Sequence, residues 1–213
     1  MAHEIRTPLT SIKLFIQSLE TTIPSDDETD KDFALIKKEI ERMEDIINRF
    51  LDFARPTEPK FEDININNIL LEAITLIRTR LKDDKITINT EFDYDLPLII
   101  GDIKQLKQVF LNILLNSIEA MPDGGKITVG TNMINLSRDQ KRLLKITIAD
   151  TGCGIEADKI KYIFDPFFTT KEYGTGMGLA IAFTVIEQHG GMIEVDSKPS
   201  KGTTFTIYLP ILS

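Results

Sequence analysis

The sequence predicts two domains of different class. An antiparallel helical hairpin, pairing with a second copy as a four-helix bundle, is followed by an α/β sandwich with a mixed sheet. Three observations predict this. Apolar residues recur with heptad spacing through the first quarter of the chain, a proline-flanked break follows, and beyond it runs rich in β-branched residues are interspersed with helical ones.

The first apolar series is Ile5, Leu9, Ile12, Ile16, Leu19 and Ile23, with spacings that alternate four and three and so form one seam on a helix. Phe33, Ile36, Ile40, Met43, Ile47, Phe50 and Ala54 repeat the pattern. Between them, in "TTIPSDDETD", Pro24 stops the first helix and the Ser/Asp/Thr cluster caps the second. Two amphipathic helices cannot cover both flanks of their seams, so a homodimer is expected. This first domain spans 1–55. "ARPTEPK", with Pro56 and Pro59, cannot continue a helix and gives a linker at 56–61. In the second domain, 62–213, "NNILLEAITLIRTRLKDD" and "KQLKQVFLNILLNSIEAM" read as helices, and "KITINTEF", "KITVGTNM", "LLKITIAD", "GMIEVDS" and "TTFTIYLP" as strands. Strands that neighbour one another, with helices interspersed, predict a mixed sheet covered on one face.

Composition narrows the classes. The 213 residues are 42% hydrophobic, ample for a buried core. Thirty-three acidic against 25 basic side chains give a net charge of −8, which argues against a nucleic-acid partner. An acidic chain that handles a phosphate compound must neutralise it locally, with a metal or oriented amides. The single Cys153 can form no internal disulfide, no Cys/His group has zinc spacing, and a reducing, cytoplasmic setting is expected. No apolar run has membrane-spanning length and no signal-peptide pattern occurs.

Three local patterns carry candidate chemistry. In "QVFLNILLNSIEAM", Asn112 and Asn116 are four apart and share a helix face with Glu119. Such asparagines either bridge to nearby backbone or hold a hydrated Mg²⁺ and phosphate oxygens. In "IADTGCGI", Asp150 ends a strand and Gly152 and Gly154 follow; this is either an ordinary turn or a carboxylate that accepts from an exocyclic amine such as adenine's, with the glycines letting backbone approach the ring. In "FDPFFTTKEYGTGMGLAIA", Gly174, Gly176 and Gly178 lead into a helix whose first amides can hold phosphate oxygens. Phe164, Phe167 and Phe168 beside Thr169, Thr170 and Lys171 suit a lid or, for at least one ring, core packing. The final "KPSKGTTFTIYLP" completes the sheet.

Together, "HEIRTPLT", "QVFLNILLNSIEA", "DTGCGI", "FDPFFTTK" and "GTGMGLAI" resemble the H, N, G1, F and G2 boxes of bacterial sensor histidine kinases, in the family's order and over nearly the whole chain. The resemblance implies a dimerisation and histidine-phosphotransfer domain followed by an ATP-binding sandwich of the GHKL (Bergerat) type, with ATP and Mg²⁺ as cofactors. It implies nucleotide contacts from Asn112, Asn116, Asp150, Gly152, Gly154, Thr169, Thr170, Lys171, Gly174, Gly176, Gly178 and Thr204, with Asn116 as metal ligand and Asn112 also catalytic. The expected partners are a second copy, a response-regulator receiver domain and a protein inhibitor docking on the bundle. Membrane contact is expected only through a sensor region absent from this chain.

With the heptad phase set by Leu9 and Ile12, His3 falls at an outward b position with Glu4 beside it. The resemblance implies that His3 is the phosphoacceptor. Its neutral imidazole has a lone pair near neutral pH, since an unperturbed histidine titrates at about 6.5. Glu4 can orient the ring or take its proton. Thr7 resembles the position that orients water when the partner is dephosphorylated. Pro8 withholds the helical hydrogen bond to the Glu4 carbonyl, so the helix is expected to bend or loosen there. One departure stands out: where many members carry a basic residue three positions after the second asparagine, this chain has Glu119, and Lys171 is a candidate to neutralise the triphosphate instead. His189, ahead of two glycines, is expected to cap a helix end. Two other readings stay open: an ATP-gated structural dimer without turnover, and a gyrase-like ATPase.

Overall fold

The computed structural model describes residues 2–22, 27–54, 58–135, 142–171 and 174–211, with the side chains of 2–9, 27–28, 41–42, 45–46, 48–54, 80 and 82–83 outside the described set. The chain divides into two compact units, Met1–Thr57 and Glu58–Ser213. The turn at Pro24, Arg55 and residues 56–57 of the linker lie outside the described residues.

The first unit is a pair of helices, α1 (Ala2–Thr22) and α2 (Asp27–Ala54). Lys13 pairs with Glu44 at 3.1 Å and Lys37 with Glu20 at 2.6 Å, so the start of one helix lies beside the end of the other and the hairpin is antiparallel. Phe33 and Ile40, one heptad apart, are buried along α2, and Ile16 and Leu19 of α1 are half-buried. Among the other described seam residues Ile47 is half-buried, and three are exposed. Ile12 is 50%, Ile36 39% and Met43 46% exposed, because one partner helix can cover only one flank of an a/d seam. Leu14, Phe15 and Leu35 are also exposed.

The second unit is the mixed α/β sandwich. Its main sheet has five strands in the order β2 (Ile86–Phe92), β4 (Gly125–Asn135), β5 (Arg142–Asp150), β7 (Gly202–Pro210), β6 (Met192–Lys198). The β2–β4 pair is parallel and the other three are antiparallel. A short antiparallel pair, β1 (Glu62–Ile64) with β3 (Ile99–Gly101), was not legible in the sequence. The run read as one helix after it is two, α3 (Ile66–Leu76) and α4 (Arg78–Asp83), which part where Ile77 adopts φ −94°, ψ 0°.

Helix α5 (Ile103–Glu119) packs against both α3 and α6 (Gly178–Gln188). Its apolar residues Leu106, Val109, Phe110, Ile113 and Leu114 are wholly buried at helical spacing. Facing them, Leu144, Ile146 and Ile148 of β5 and Phe205, Ile207 and Leu209 of β7 are buried at every second position. Emptying the centre, as in Phe110→Ala, costs about 3–5 kcal/mol by the usual scale for buried aromatics.

Candidate functional site

Asp150 is the last residue of β5 and continues the buried phase of Leu144, Ile146 and Ile148, so its carboxylate lies on the helix-covered side of the sheet. Oδ1 accepts from the Gly152 amide at 2.9 Å and the Thr203 amide at 3.1 Å, and Oδ2 accepts from Ser117 Oγ at 3.1 Å. Burial pushes the Asp150 carboxyl above its ordinary value, and the three donors only partly oppose this. The result is a desolvated acceptor, anchored on one side and suited to a ligand donor on the other.

The glycines beside it serve close approach. A Cβ at Gly152 would stand 2.7 Å from the Ala120 carbonyl, where the end of α5 also accepts from the Cys153 amide at 3.0 Å. Gly154 has φ +71°, and a Cβ there would meet the Lys198 carbonyl at 2.1 Å. What these glycines admit here is thus neighbouring backbone.

Helix α5 is the spine of the site. Asn112 Nδ2 donates to the Gly178 carbonyl at 3.0 Å, tying α5 to the start of α6. Asn116 Oδ1 accepts from Lys171 Nζ at 2.9 Å, and Glu119 Oε2 accepts from the same ammonium at 2.6 Å. The segment carrying Lys171 is pinned locally. Thr169 Oγ1 accepts from the Lys171 amide at 3.1 Å, Gly174 packs so closely on Thr169 that a Cβ would lie 2.3 Å from its Oγ1, and the Phe167 amide donates to the Gly176 carbonyl at 3.1 Å. Gly176 itself has φ +66°. Thr170 is exposed. Of the three phenylalanines, Phe164 stacks on Phe183 of α6 at 5.3 Å, Phe168 on Tyr162 at 5.8 Å, and Phe167 is 56% exposed.

Thus Asn112, Asn116, Asp150, Gly152, Lys171 and Gly178 gather around α5, with Thr169, Gly174 and Gly176 supporting Lys171. Thr204 is placed otherwise: on β7 it alternates out of phase with buried Thr203 and Phe205, and its neighbour Thr203 is the one that reaches Asp150. Ser117 and Thr203 carried no signal of their own in the sequence. Among the described residues no group of three or more His, Cys, Asp and Glu could hold a metal. Asn116 and Glu119 do converge on one cation, which fits a Mg²⁺ that takes most of its ligands from phosphate and water.

The first 59 residues match the model of the His Kinase A phospho-acceptor domain, and residues 101–213 match that of the Histidine kinase-, DNA gyrase B-, and HSP90-like ATPase. The chain belongs to this ATPase family. Its two domains, in this order, make it a sensor histidine kinase catalytic core.

Relatives agree along the whole length. Sporulation kinase E of Bacillus subtilis is 40% identical over 99% of this chain, and the signal transduction histidine-protein kinase AtoS of Escherichia coli 38% over 99%. The chain spans 28% of the first and 34% of the second. Among solved structures, histidine kinase ThkA in complex with the response regulator protein TrrA superposes with a TM-score of 0.73 at 27% identity, over 99% of this chain and 60% of that one. Full-length ShkA in complex with AMPPNP shares the fold at a TM-score of 0.82 and 24% identity, over all of this chain and 45% of that one.

In this histidine kinase core His3, Glu4, Thr7 and Pro8 lie within helix α1, their side chains outside the described set. No helix among the described residues is long and apolar enough to cross a membrane. His189 does more than end α6. It is buried, its Nδ1 lies 2.8 Å from the Val185 carbonyl, and its Nε2 accepts the Asp102 amide at 2.9 Å, which fixes the neutral tautomer with the proton on Nδ1. Phe61 meets its ring edge-on at 5.2 Å. Asp102 in turn caps α5 through Gln105 and accepts the Lys60 amide at 2.7 Å, so the chain entering the sandwich is fastened to the helix that carries the site.

Proposed function

We propose that this chain is an ATP-dependent protein-histidine kinase that phosphorylates its own His3 and passes the phosphoryl group to an aspartate of a response regulator, with regulator phosphatase activity through Thr7. The observation that carries the reading is the Asp150 carboxylate, buried at a strand end and held by Ser117, Gly152 and Thr203 with capacity left for a donor such as the adenine amine. The family match and the phospho-acceptor domain ahead of it support the same reading.

In this reading the adenine amine donates to Asp150, and the phosphates lie between α5 and the start of α6, whose N-cap residue Met177 makes no side-chain capping bond among the described residues. Mg²⁺, when bound, polarises the phosphoryl oxygens and offsets their charge. Asn116 would hold it; Asn112 fixes the α6 end against which the phosphates rest. The lone pair of His3 attacks the γ-phosphorus, the P–N bond forms as the bond to the β–γ bridging oxygen breaks, and ADP leaves. Glu4 takes the ring proton. The phosphohistidine P–N bond then breaks as an aspartate oxygen of the regulator attacks.

The exposed apolar residues of the hairpin support a dimer, in which 1–55 supplies the acceptor bundle and 62–213 the nucleotide site. The deciding experiment is incubation with γ-labelled ATP and Mg²⁺. Acid-labile, base-stable label that disappears in His3→Gln, while that variant still binds ATP, is the expected result. Tight binding with no label would leave an ATP-gated dimer, and steady hydrolysis with no label a gyrase-like ATPase.

A further inference from the structure

Lys171 and Glu119 stand 52 positions apart in sequence, yet their charged groups meet at 2.6 Å. The same ammonium donates to Asn116 Oδ1 at 2.9 Å. Asn116 and Glu119 are three apart on α5, so their oxygens leave one helix face and close on a single cation. A neutral amide oxygen alone is a weak ligand for Mg²⁺, which binds proteins through one or two carboxylates together with substrate phosphates. Glu119 supplies that carboxylate.

We propose that Asn116 and Glu119 form one cation seat, held by the Lys171 ammonium when no nucleotide is bound and by the nucleotide's divalent cation when one is. This rests on the nucleotide-binding reading above and deepens it: Glu119 becomes a metal ligand, and Lys171 the ion it exchanges. Charge is matched in both states. Without nucleotide, Glu119 and Lys171 neutralise each other; with it, Glu119 faces the divalent cation and the released Lys171 pairs with phosphate. An acidic residue where a basic one would meet the phosphates then ceases to be a mismatch, because it holds both a lysine and a metal in turn. The exchange is easy, since the Lys171 and Glu119 side chains are 39% and 40% exposed and such pairs are weak. The two oxygens need only draw in from hydrogen-bond length to the roughly 2.1 Å of a magnesium ligand.

The test uses Mn²⁺ as the probe, followed by electron paramagnetic resonance on the whole chain, and ATP binding by calorimetry with and without Mn²⁺. In Lys171→Met the vacated seat should bind Mn²⁺ about fivefold more tightly than wild type without nucleotide. In Glu119→Gln the factor by which Mn²⁺ strengthens ATP binding should fall about tenfold. Wild-type Mn²⁺ responses in both variants, with ATP still bound, would overturn this inference alone and leave an ordinary surface ion pair. Failure of the wild-type chain to bind ATP would overturn the function reading and this inference with it.

Discussion

The side-chain amide of Asn112 donates to the carbonyl of Gly178 across 3.0 Å, so the N-terminus of α6 hangs from the middle of α5. Asn112→Ala removes that tie and leaves a half-buried gap. We expect a loss of about 1 kcal/mol, seen as a fall in Tm of about 2–4 °C for a chain of this size. Phosphorylation should suffer more than stability, because a displaced α6 start no longer meets the phosphates. A variant with wild-type Tm and labelling rate would show that Asn112 has no part in placing the start of α6.

How much of this was open to inspection in the sequence depends on the range of each interaction. The five main strands follow from local alternation, and all five form. Asn112 and Asn116 share a face because helical spacing is a local rule. Ser117 and Thr203 were invisible as partners of Asp150, since they meet it only through the packing of α5 on the sheet and the β5–β7 register. The two glycines after His189 mark it as a cap, and it does end α6. Its further acceptor role toward Asp102 spans 87 positions, a distance no periodicity encodes. The break at Ile77 escaped for a different reason: neither a glycine nor a proline marks it.

Nucleotide affinity should weaken in acid sooner than an ordinary aspartate would dictate. Burial raises the Asp150 carboxyl above its usual 3.8, so as pH falls the acceptor for the adenine amine is lost before exposed aspartates titrate. The sign for folding is opposite. A carboxyl with a raised folded-state value takes up its proton more readily when folded, so Asp150 favours the native state as pH falls, and its ionisation weighs against folding as pH rises through the folded-state value. Calorimetric ATP binding from neutral pH downward checks this. Asp150→Asn should bind about tenfold to a hundredfold less tightly at neutral pH and should lose the acid limb. A limb that survives in the variant would assign it to another group.

Asp102 behaves in the contrary way. Burial alone would push it up, but the backbone amides of Gln105, Lys60 and Lys104 that donate to it hold it below 3.8. Its contribution is therefore complete above 3.8 and is lost as pH falls through the lower, folded-state value. Asp102→Ala forfeits the cap of α5 and the acceptor of the Lys60 amide, at a cost of about 1–2 kcal/mol at neutral pH. Urea midpoints measured from pH 6 downward should converge for the two proteins below the ordinary aspartate value. Parallel curves over that range would show that the carboxylate charge contributes nothing.

The hairpin of α1 and α2 leaves Ile12, Phe15, Ile36 and Met43 in contact with water along the flank that Phe33 and Ile40 do not use. An apolar stripe of that length on a two-helix element is what a second hairpin would cover, since two helices cannot enclose a seam and four can. Placing carboxylates on it should separate the subunits, because burying two unpaired charges per chain costs several kcal/mol. The double variant Ile36→Glu, Met43→Glu is expected to sediment as a species of 24.1 kDa where the wild type sediments at twice that mass. Its sandwich should still bind ATP, since Glu58–Ser213 is a compact unit with its own core. Labelling of His3 is then the informative readout. If transfer runs between subunits, the monomer binds ATP and stays unlabelled, and mixing it with His3→Gln restores nothing; if transfer runs within one chain, label persists at reduced rate. A double variant that sediments like the wild type would mean that this stripe is not the subunit contact.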